Sequence, residues 1–286
     1  MIKYRCSIGV FAYNEEKNIK NVLNALLNQK LKRVLIDEIF VISSGSTDKT
    51  ATFANIIAEK NKKITVIDEP ERKGKSNAIN TFLKTAKHEL AIIVSADVVP
   101  AKDTVEKLII PFKNAKIGMT GGRPKPYNKI SDFTDFANNL LWKLHHQMSK
   151  YQPKLGEMIA FRKVFSCIPE KSAVDEASIE AIITQSGLKC MYVSDAIVYN
   201  KGPETICDFI KQRKRIAAGH LWLKDNQNYD VTSNSLGLLL GLYILECFKN
   251  PKDIVYITGT AKLEMFCRVL GYIDYKFRKI NPYIWE

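Results

Sequence analysis

The ten residues "AIIVSADVVP" (91–100) decide how the rest of the chain is read. An unbroken apolar run with Ile92, Ile93 and Val94 at its centre reads as a strand buried on both faces. It stops at a carboxylate, Asp97, with only a serine, Ser95, where a second acid would have stood. Upstream, "CSIGVFAY", "EIFVIS" and "ITVID" alternate with the amphipathic stretches "EEKNIKNVLNALLNQK", "DKTATFANIIAEKN" and "GKSNAINTFLKTA". Strands alternating with helices predict an α/β fold with right-handed crossovers and a mainly parallel sheet. Ligands of such sheets bind beyond the carboxyl ends of the strands. The polar clusters "AYNEE", "SSGSTD", "ERKGK" and "SAD" all fall at those ends.

With 286 residues, 46% of them hydrophobic, and only 14 Gly and 10 Pro, the chain has enough apolar side chains for one large or two modest domains, which excludes global disorder. Its six cysteines form no C-x-x-C pair and no basic-apolar leader opens the sequence, so a reducing, cytoplasmic setting with free thiols is expected. The formal net charge of +13 favours polyanions: nucleic acid, an anionic lipid surface or a phosphorylated substrate. The apolar run Leu236 to Phe248 would span roughly 20 Å as a helix, short of the ~30 Å hydrocarbon core, and is expected to be a buried or interfacial helix rather than a membrane span.

Beyond Pro100 the pattern predicts a helix over "AKDTVEKLIIPF", a strand at "IGMTGG" and a long helix over "ISDFTDFANNLLWKLHHQMSK". After a break at "YQPKLGEM" come a strand at "MIAFRKVF", an acidic helix start at "AVDEASIEAIITQSG" and the strand "KCMYVSDAIVYN". One basic helix over "PETICDFIKQRKRIAAGHLWLK" follows, with Pro203 suited to an early helical position. No internal repeat or linker is visible, and the last helices are expected to pack on the sheet as an appendage.

Three junctions carry chemistry together that none carries alone. In "SSGSTDKT", Gly45 permits an unusual backbone angle and Ser46 or Thr47 can cap the helix that Asp48 opens, aiming amides at an anion; by itself this is an ordinary strand-to-helix turn. In "ERKGKSNAIN", Arg72, Lys73 and Lys75 converge where a phosphate would lie, although basic loops are usually only solvated. Asp97 offers an oxygen ligand for Mg²⁺ or Mn²⁺ between phosphates, whereas a lone strand-end acid often caps a turn. The three make a phosphate-and-metal cradle. His145, His146 and His220 lack a ligand spacing and read as structural or surface residues.

In order and spacing, "SIGVFAYNEEKNI", "VISSGSTDKT", "RKGKSNAIN", "SAD", "TGGR", "GEMIAFR", "VDEASIEA" and "QRKRIAAGH" resemble the family 2 inverting glycosyltransferases of the GT-A fold, over about residues 5–224. The resemblance implies a nucleotide-diphospho-sugar transferase architecture over residues 1–224: a Rossmann-like, mixed but mainly parallel sheet flanked by helices. The basic and apolar stretches of the chain's own C-terminal part suggest a helical, membrane-surface region at 225–286. The resemblance also implies that Asp97, last of a D-x-D-like "SAD" (Ser95, Ala96, Asp97), holds the divalent cation of a nucleotide-sugar. Tyr13, Asn14 and Glu15 would shape the nucleotide pocket; Ser44 stands where the family has a base-reading Asp, and Asp48 closes its D-G-S-T-D element. Arg72 and Lys75 would lie near the diphosphate and Gly156 and Glu157 near the donor sugar and acceptor. Asp175 and Glu176 match the acid pair that supplies the catalytic base, with register favouring Glu176 and residue type Asp175. Gln212 and Arg215 match Q-x-x-R-W.

Five positions in four motifs depart from the family pattern: Ser95 for the first acid of D-x-D, Ser43 and Ser44 for the leading acids of D-D-G-S-T-D, Ile216 for Trp, and Asn200 where many members carry His. A serine donates or accepts and so discriminates bases less sharply than a carboxylate.

The expected activity is metal-dependent, inverting transfer of a sugar to a hydroxyl or phosphate acceptor, a class that includes lipid-linked and polysaccharide acceptors. Inversion needs a carboxylate across the sugar from the leaving nucleoside diphosphate, to deprotonate the attacking hydroxyl. Asp97-bound metal, Lys75 and Arg215 would stabilise the leaving group. "KQRKR" (211–215), "HLWL" and the apolar run at 236–248 suggest a footprint on anionic membrane at the cytoplasmic face, against the reading of a solvent-facing basic helix. Two rivals remain at this level: a nucleotidyltransferase, which would want a Gly- and Arg-rich loop after the first strand, and a catalytically degenerate basic protein binding membrane or nucleic acid. With the transferase reading, no nucleic-acid partner is expected.

Overall fold

A computed structural model describes residues 3–127, 129–232 and 235–284. Strands β1 (Tyr4–Ala12), β2 (Val34–Ser44), β3 (Ile64–Glu69) and β4 (Leu90–Ser95) alternate with helices α1 (Ile19–Leu27), α2 (Thr50–Glu59) and α3 (Lys75–Thr85). A short β5 (Val99–Pro100), α4 (Thr104–Ile109), β6 (Ile117–Pro126), α5 (Phe133–Ser149), β7 (Met158–Arg162), α6 (Asp175–Gln185) and β8 (Lys189–Asn200) complete the sheet layer. Helices α7 (Ile206–Gln227), α8 (Leu236–Lys249) and α9 (Ile254–Lys276) follow.

The eight strands run in the order β3-β2-β1-β4-β7-β6-β8-β5. β1 to β4 are parallel, β7 is antiparallel between β4 and β6, β8 runs parallel to β6, and β5 pairs antiparallel with β8 at the edge. The mixed, mainly parallel sheet expected from the sequence is therefore present.

β4 shows why its apolar run is unbroken. Ile92 and Val94 join Ile8, Val10, Ile19 and Leu23 in the core under α1 and α2. Ala91 and Ile93, on the opposite face, join Phe82, Phe161 and Ile179 under α3 and α6. Glycine at position 9 lets α3 press onto β1, because a Cβ there would stand 2.8 Å from the Phe82 ring.

Two helix starts differ from expectation. The turn before α2 is capped by Asp48, whose carboxylate accepts from the Thr50 amide at 2.9 Å and from the Glu16 amide at 3.1 Å. Ser46 and Thr47 instead bond to Asn14, since a carboxylate reaches two amides where one hydroxyl reaches one. Pro203 lies outside α7, which begins at Ile206 behind a Thr205 cap accepting from the Asp208 amide at 3.1 Å. A T-x-x-D capping box outcompetes the proline as a start signal.

The division expected at 224/225 falls inside α7. α8 packs on α5 through Leu140, Leu144, Leu242 and Tyr243. α9 packs along α7, where Glu264 accepts from Arg213 Nε at 2.7 Å and Nη2 at 2.6 Å and from Arg268 Nε at 3.0 Å. The tail returns to the sheet domain: the Asn281 side chain donates to the Lys171 carbonyl at 2.9 Å. No helix among the described residues is long and apolar enough to cross a membrane.

Candidate active site

The carboxyl ends of β1, β2 and β4, the start of α3 and the start of α6 meet in one cleft. Ala96 ties the end of β4 to β1 by donating to the Phe11 carbonyl at 2.9 Å, which leaves Asp97 exposed to solvent just beyond, with Ser95 half-buried. The surrounding protein still desolvates Asp97, and with Glu176 nearby its pKa is raised, while Lys75 and Arg215 pull it back.

Lys75, the first residue of α3 after Gly74 (φ 91°), is the hub of the cleft. Its ammonium lies 2.8 Å from Asp175 Oδ2 and 3.1 Å from Glu176 Oε1. Both carboxylates open α6, where the helix dipole favours anions. Burial and the adjacent Glu176 charge raise Asp175; Glu176, despite desolvation, is held low by Lys75 and by Arg215 reaching across from α7. Lys75 itself is raised well above the usual lysine value by the two carboxylates, which outweigh its own desolvation.

Glu157 enters from the loop before β7. Burial, Asp97 and Glu176 push its carboxyl up to about 8, and the Lys75 charge and a bond with Asn200 at the end of β8 partly oppose them. Its backbone is left-handed (φ 64°), as is that of Asn14 (φ 53°) on the other side of the cleft. Such conformations persist in non-glycine residues only where surrounding bonds fix them. For Asn14 those bonds are its amide to Ser46 Oγ at 3.2 Å and its Oδ1 accepting from the Thr47 amide at 2.9 Å. Gly156 faces open space.

Along the β1–β2 rim, burial and the Asp97 and Asp48 charges raise Glu15 to about 7, and a bond from Asn18 partly opposes them. The Arg72 guanidinium lies 3.3 Å from the centre of the Tyr13 ring. Ser44 is buried, and its hydroxyl donates to Glu69 Oε2 at 2.8 Å. Thus Tyr13, Asn14, Glu15, Asp48 and Arg72 form one rim, and Lys75, Asp97, Glu157, Asp175, Glu176 and Arg215 form one charged centre. Gln212 joins neither; it is exposed on α7.

Sequence reasoning missed Glu69. It carries an acid at the end of β3, beside the serine that replaces the expected one at the end of β2, and the register pairing Ser44 with Glu69 was the only signal of it.

A divalent cation suits this centre by its donor chemistry. No group of three or more His, Cys, Asp or Glu side chains able to hold an ion occurs among the described residues, so a cation here would rest on few protein ligands. Mg²⁺ and Mn²⁺ are commonly held by one or two carboxylates plus phosphate oxygens. Asp97 is the exposed carboxylate, and Asn200 Oδ1 is a buried oxygen left without a hydrogen-bond partner among the described residues.

Comparison with known proteins bears on the fold and the family. Poly-beta-1,6-N-acetyl-D-glucosamine synthase of Staphylococcus aureus is 29% identical over 219 residues, 72% of this chain and 52% of that protein. The counterpart in Staphylococcus epidermidis is 28% identical over 94% of this chain and 66% of its own length. The chain thus spans about half the length of the S. aureus relatives it matches. In fold it resembles a mannosyltransferase from Pyrobaculum calidifontis solved with GDP-Man and Mn²⁺: TM-score 0.70, 19% identity, 96% of this chain and 88% of the other covered. It also resembles Mycobacterium tuberculosis glucosyl-3-phosphoglycerate synthase, with a TM-score of 0.52 at 20% identity over 74% of this chain and 77% of the other. The profile of Glycosyl transferase family 2 matches residues 7–182, and the chain belongs to that family.

Proposed function

We propose that the protein transfers a sugar from a nucleotide-sugar to a hydroxyl or phosphate acceptor, with inversion at the anomeric carbon. The observation that carries this reading is the Lys75 ammonium held between Asp175 and Glu176, in one electrostatic field with Asp97, Glu157 and Arg215. With Glu157 protonated, two cations face three carboxylates there, so the centre suits a diphosphate that arrives with a divalent cation and leaves a carboxylate to accept a proton.

The diphosphate of the donor lies at the start of α3, between Lys75 and Arg215. The base rests against the Tyr13–Arg72 rim, with Glu15, Ser44 and Glu69 beneath it and Asp48 holding the loop in shape. Asp97 and Asn200 are the residues that would hold Mn²⁺ or Mg²⁺, which when bound supplies Lewis-acid neutralisation of the leaving diphosphate. As the diphosphate competes for the Lys75 ammonium, the acid pair loses its counter-charge and becomes more basic. Glu176, whose side chain is 22% exposed against 9% for Asp175, takes the acceptor proton, and Asp175 positions Lys75. Glu157, kept largely protonated near neutral pH, donates a hydrogen bond to a sugar or acceptor oxygen beside Gly156.

The same reading includes contact with an anionic membrane at the cytoplasmic face. α8 and α9 leave Leu240, Phe248, Val255, Phe266 and Phe277 exposed, with Lys249, Lys252, Lys262 and Arg278 around them.

Thermal unfolding with UDP-, GDP- and dTDP-sugars, with and without Mn²⁺ or Mg²⁺, tests the assignment. Ligands that bind only the folded state raise its melting temperature. One nucleotide class is expected to stabilise the chain in a metal-dependent way, and Asp97→Ala to abolish the effect. No stabilisation by any of them sinks the proposal.

A further inference from the structure

A cavity of about 430 Å³ lies between the end of β6, α5 and the α8–α9 turn. Its wall carries Arg123, Lys125, Trp142, Lys143, Glu246 and Asn250. Three observations single it out. Glu246 is 2% exposed, with Oε1 bound by Lys143 and by Asn250 Nδ2 at 2.5 Å, yet its Oε2 finds no hydrogen-bond partner among the described residues. A buried carboxylate oxygen left bare is costly unless a ligand donor satisfies it. Arg123 and Lys125 form no ion pair among the described residues, and after burial their charges, with that of Lys150, hold the neighbouring His146 down to about 4. Trp142 adds a half-buried aromatic face, a surface on which sugar rings bury their C–H groups. With Asp253 also on the wall, the ionised groups sum to one net positive charge.

The cavity is tied to the catalytic centre through the sheet. β6 pairs with β8 so that Lys125 faces Tyr199 and Pro126 faces Asn200, the residue bonded to Glu157.

We infer that this cavity is the acceptor pocket and that its ligand is a phosphorylated polyol. The phosphate lies between Arg123 and Lys125, a hydroxyl donates to Glu246 Oε2, and the ring rests on Trp142. The inference rests on the transferase reading for the word acceptor, and on the cavity alone for the ligand. Two sources share this chemistry: a soluble sugar phosphate, and the head group of a lipid such as phosphatidylinositol.

Direct binding decides it without donor or turnover. The full chain is titrated by calorimetry and tryptophan fluorescence with glucose 6-phosphate, mannose 6-phosphate and inositol 1-phosphate, each against its unphosphorylated parent. At least one phosphorylated compound is expected to bind, with the parent and Arg123→Ala each weaker by about tenfold, the size of one charge-assisted contact. Glu246→Gln and Trp142→Ala are expected to weaken it several-fold, and Lys125→Ala, on a half-buried strand end, serves if Glu246→Gln fails to fold. Competition by phosphatidylinositol vesicles, but not by phosphatidylserine vesicles of equal charge, assigns the lipid source; its absence alongside soluble binding assigns the soluble one. Binding by none of the three compounds, or binding that Arg123→Ala and Trp142→Ala leave unchanged, overturns the inference. A chain that fails the nucleotide panel but binds the phosphorylated polyol loses the transferase reading and keeps this pocket; the reverse pattern keeps the transferase and loses the pocket.

Discussion

Lys75 pairs with two adjacent carboxylates, buried Asp175 at 2.8 Å and half-buried Glu176 at 3.1 Å, so the charge it carries is worth more than its own contacts. Removing one partner of a buried ionic cluster leaves the others uncompensated, at a cost of roughly 3 kcal/mol or more. Lys75→Met is therefore expected to lower the urea midpoint, and adding Asp175→Asn to recover part of the loss, because one of the stranded charges is then gone. Full additivity of the two changes argues against the shared cluster. For the chemistry, Glu176→Gln is expected to lower kcat on the order of 10³-fold, within the range for a lost general base, with nucleotide-sugar affinity nearly unchanged. A larger loss from Asp175→Asn transfers the role of base to Asp175. The identities of these residues were legible because the acids, the lysine and Asp97 sit in ordered short motifs. Their ion pairs were not, because Lys75 and Glu176 are 101 positions apart and only the crossover of α3 beside α6 brings them together.

Among the helices, the α7–α9 seam carries three cross-helix ion pairs, Arg213–Glu264, Lys214–Asp274 and Lys276–Asp225, of which the first gathers two arginines. Glu264 is buried, accepts from Arg213 and Arg268 and, despite desolvation, is held down to about 2 by those two cations. A carboxyl whose folded pKa lies below its unfolded value contributes stability that is full above about pH 4.5 and is lost as pH falls toward 2. Glu264→Gln should therefore destabilise the chain at pH 7, by about 3 kcal/mol for a broken buried pair, and should flatten the acid limb of its stability profile. Chemical unfolding at pH 7 and pH 3 checks this; an equal deficit at both values excludes the ionic role. The sequence showed α7 and α9 as helices but not their seam. The acid and its arginine partner are 51 positions apart, and periodicity says which face is apolar without saying which helix it meets. Local chemistry misled at two starts for the converse reason: Asp48 and Thr205 satisfy amides by geometry that composition alone does not rank against a serine or a proline.

At the scale of the whole molecule, the two C-terminal helices bury one side against α5 and α7 and leave the other apolar. Phe248 is 81% exposed, Val255 74% and Phe277 73%, and these large side chains lie among lysines on a chain of net charge +13. A surface helix that presents apolar side chains within a basic rim has the composition of an interfacial anchor: the apolar groups enter the head-group boundary while the cations meet anionic lipid. The acceptor cavity opens beside the α8–α9 turn, so the same docking would bring it to the lipid surface. The full chain is expected to co-sediment with vesicles containing phosphatidylserine and not with pure phosphatidylcholine. Raising salt from about 0.1 M to about 1 M, which shortens the screening length from about 10 Å to about 3 Å, should weaken the binding. The double substitution Phe248→Asp and Val255→Asp removes two apolar insertions, each worth about 1.5 to 3 kcal/mol when fully buried, and should abolish sedimentation while leaving the nucleotide-induced rise in melting temperature intact. If the wild-type chain ignores the vesicles and instead runs at twice its 32.5 kDa mass, the apolar face pairs two copies of the chain and the membrane reading falls.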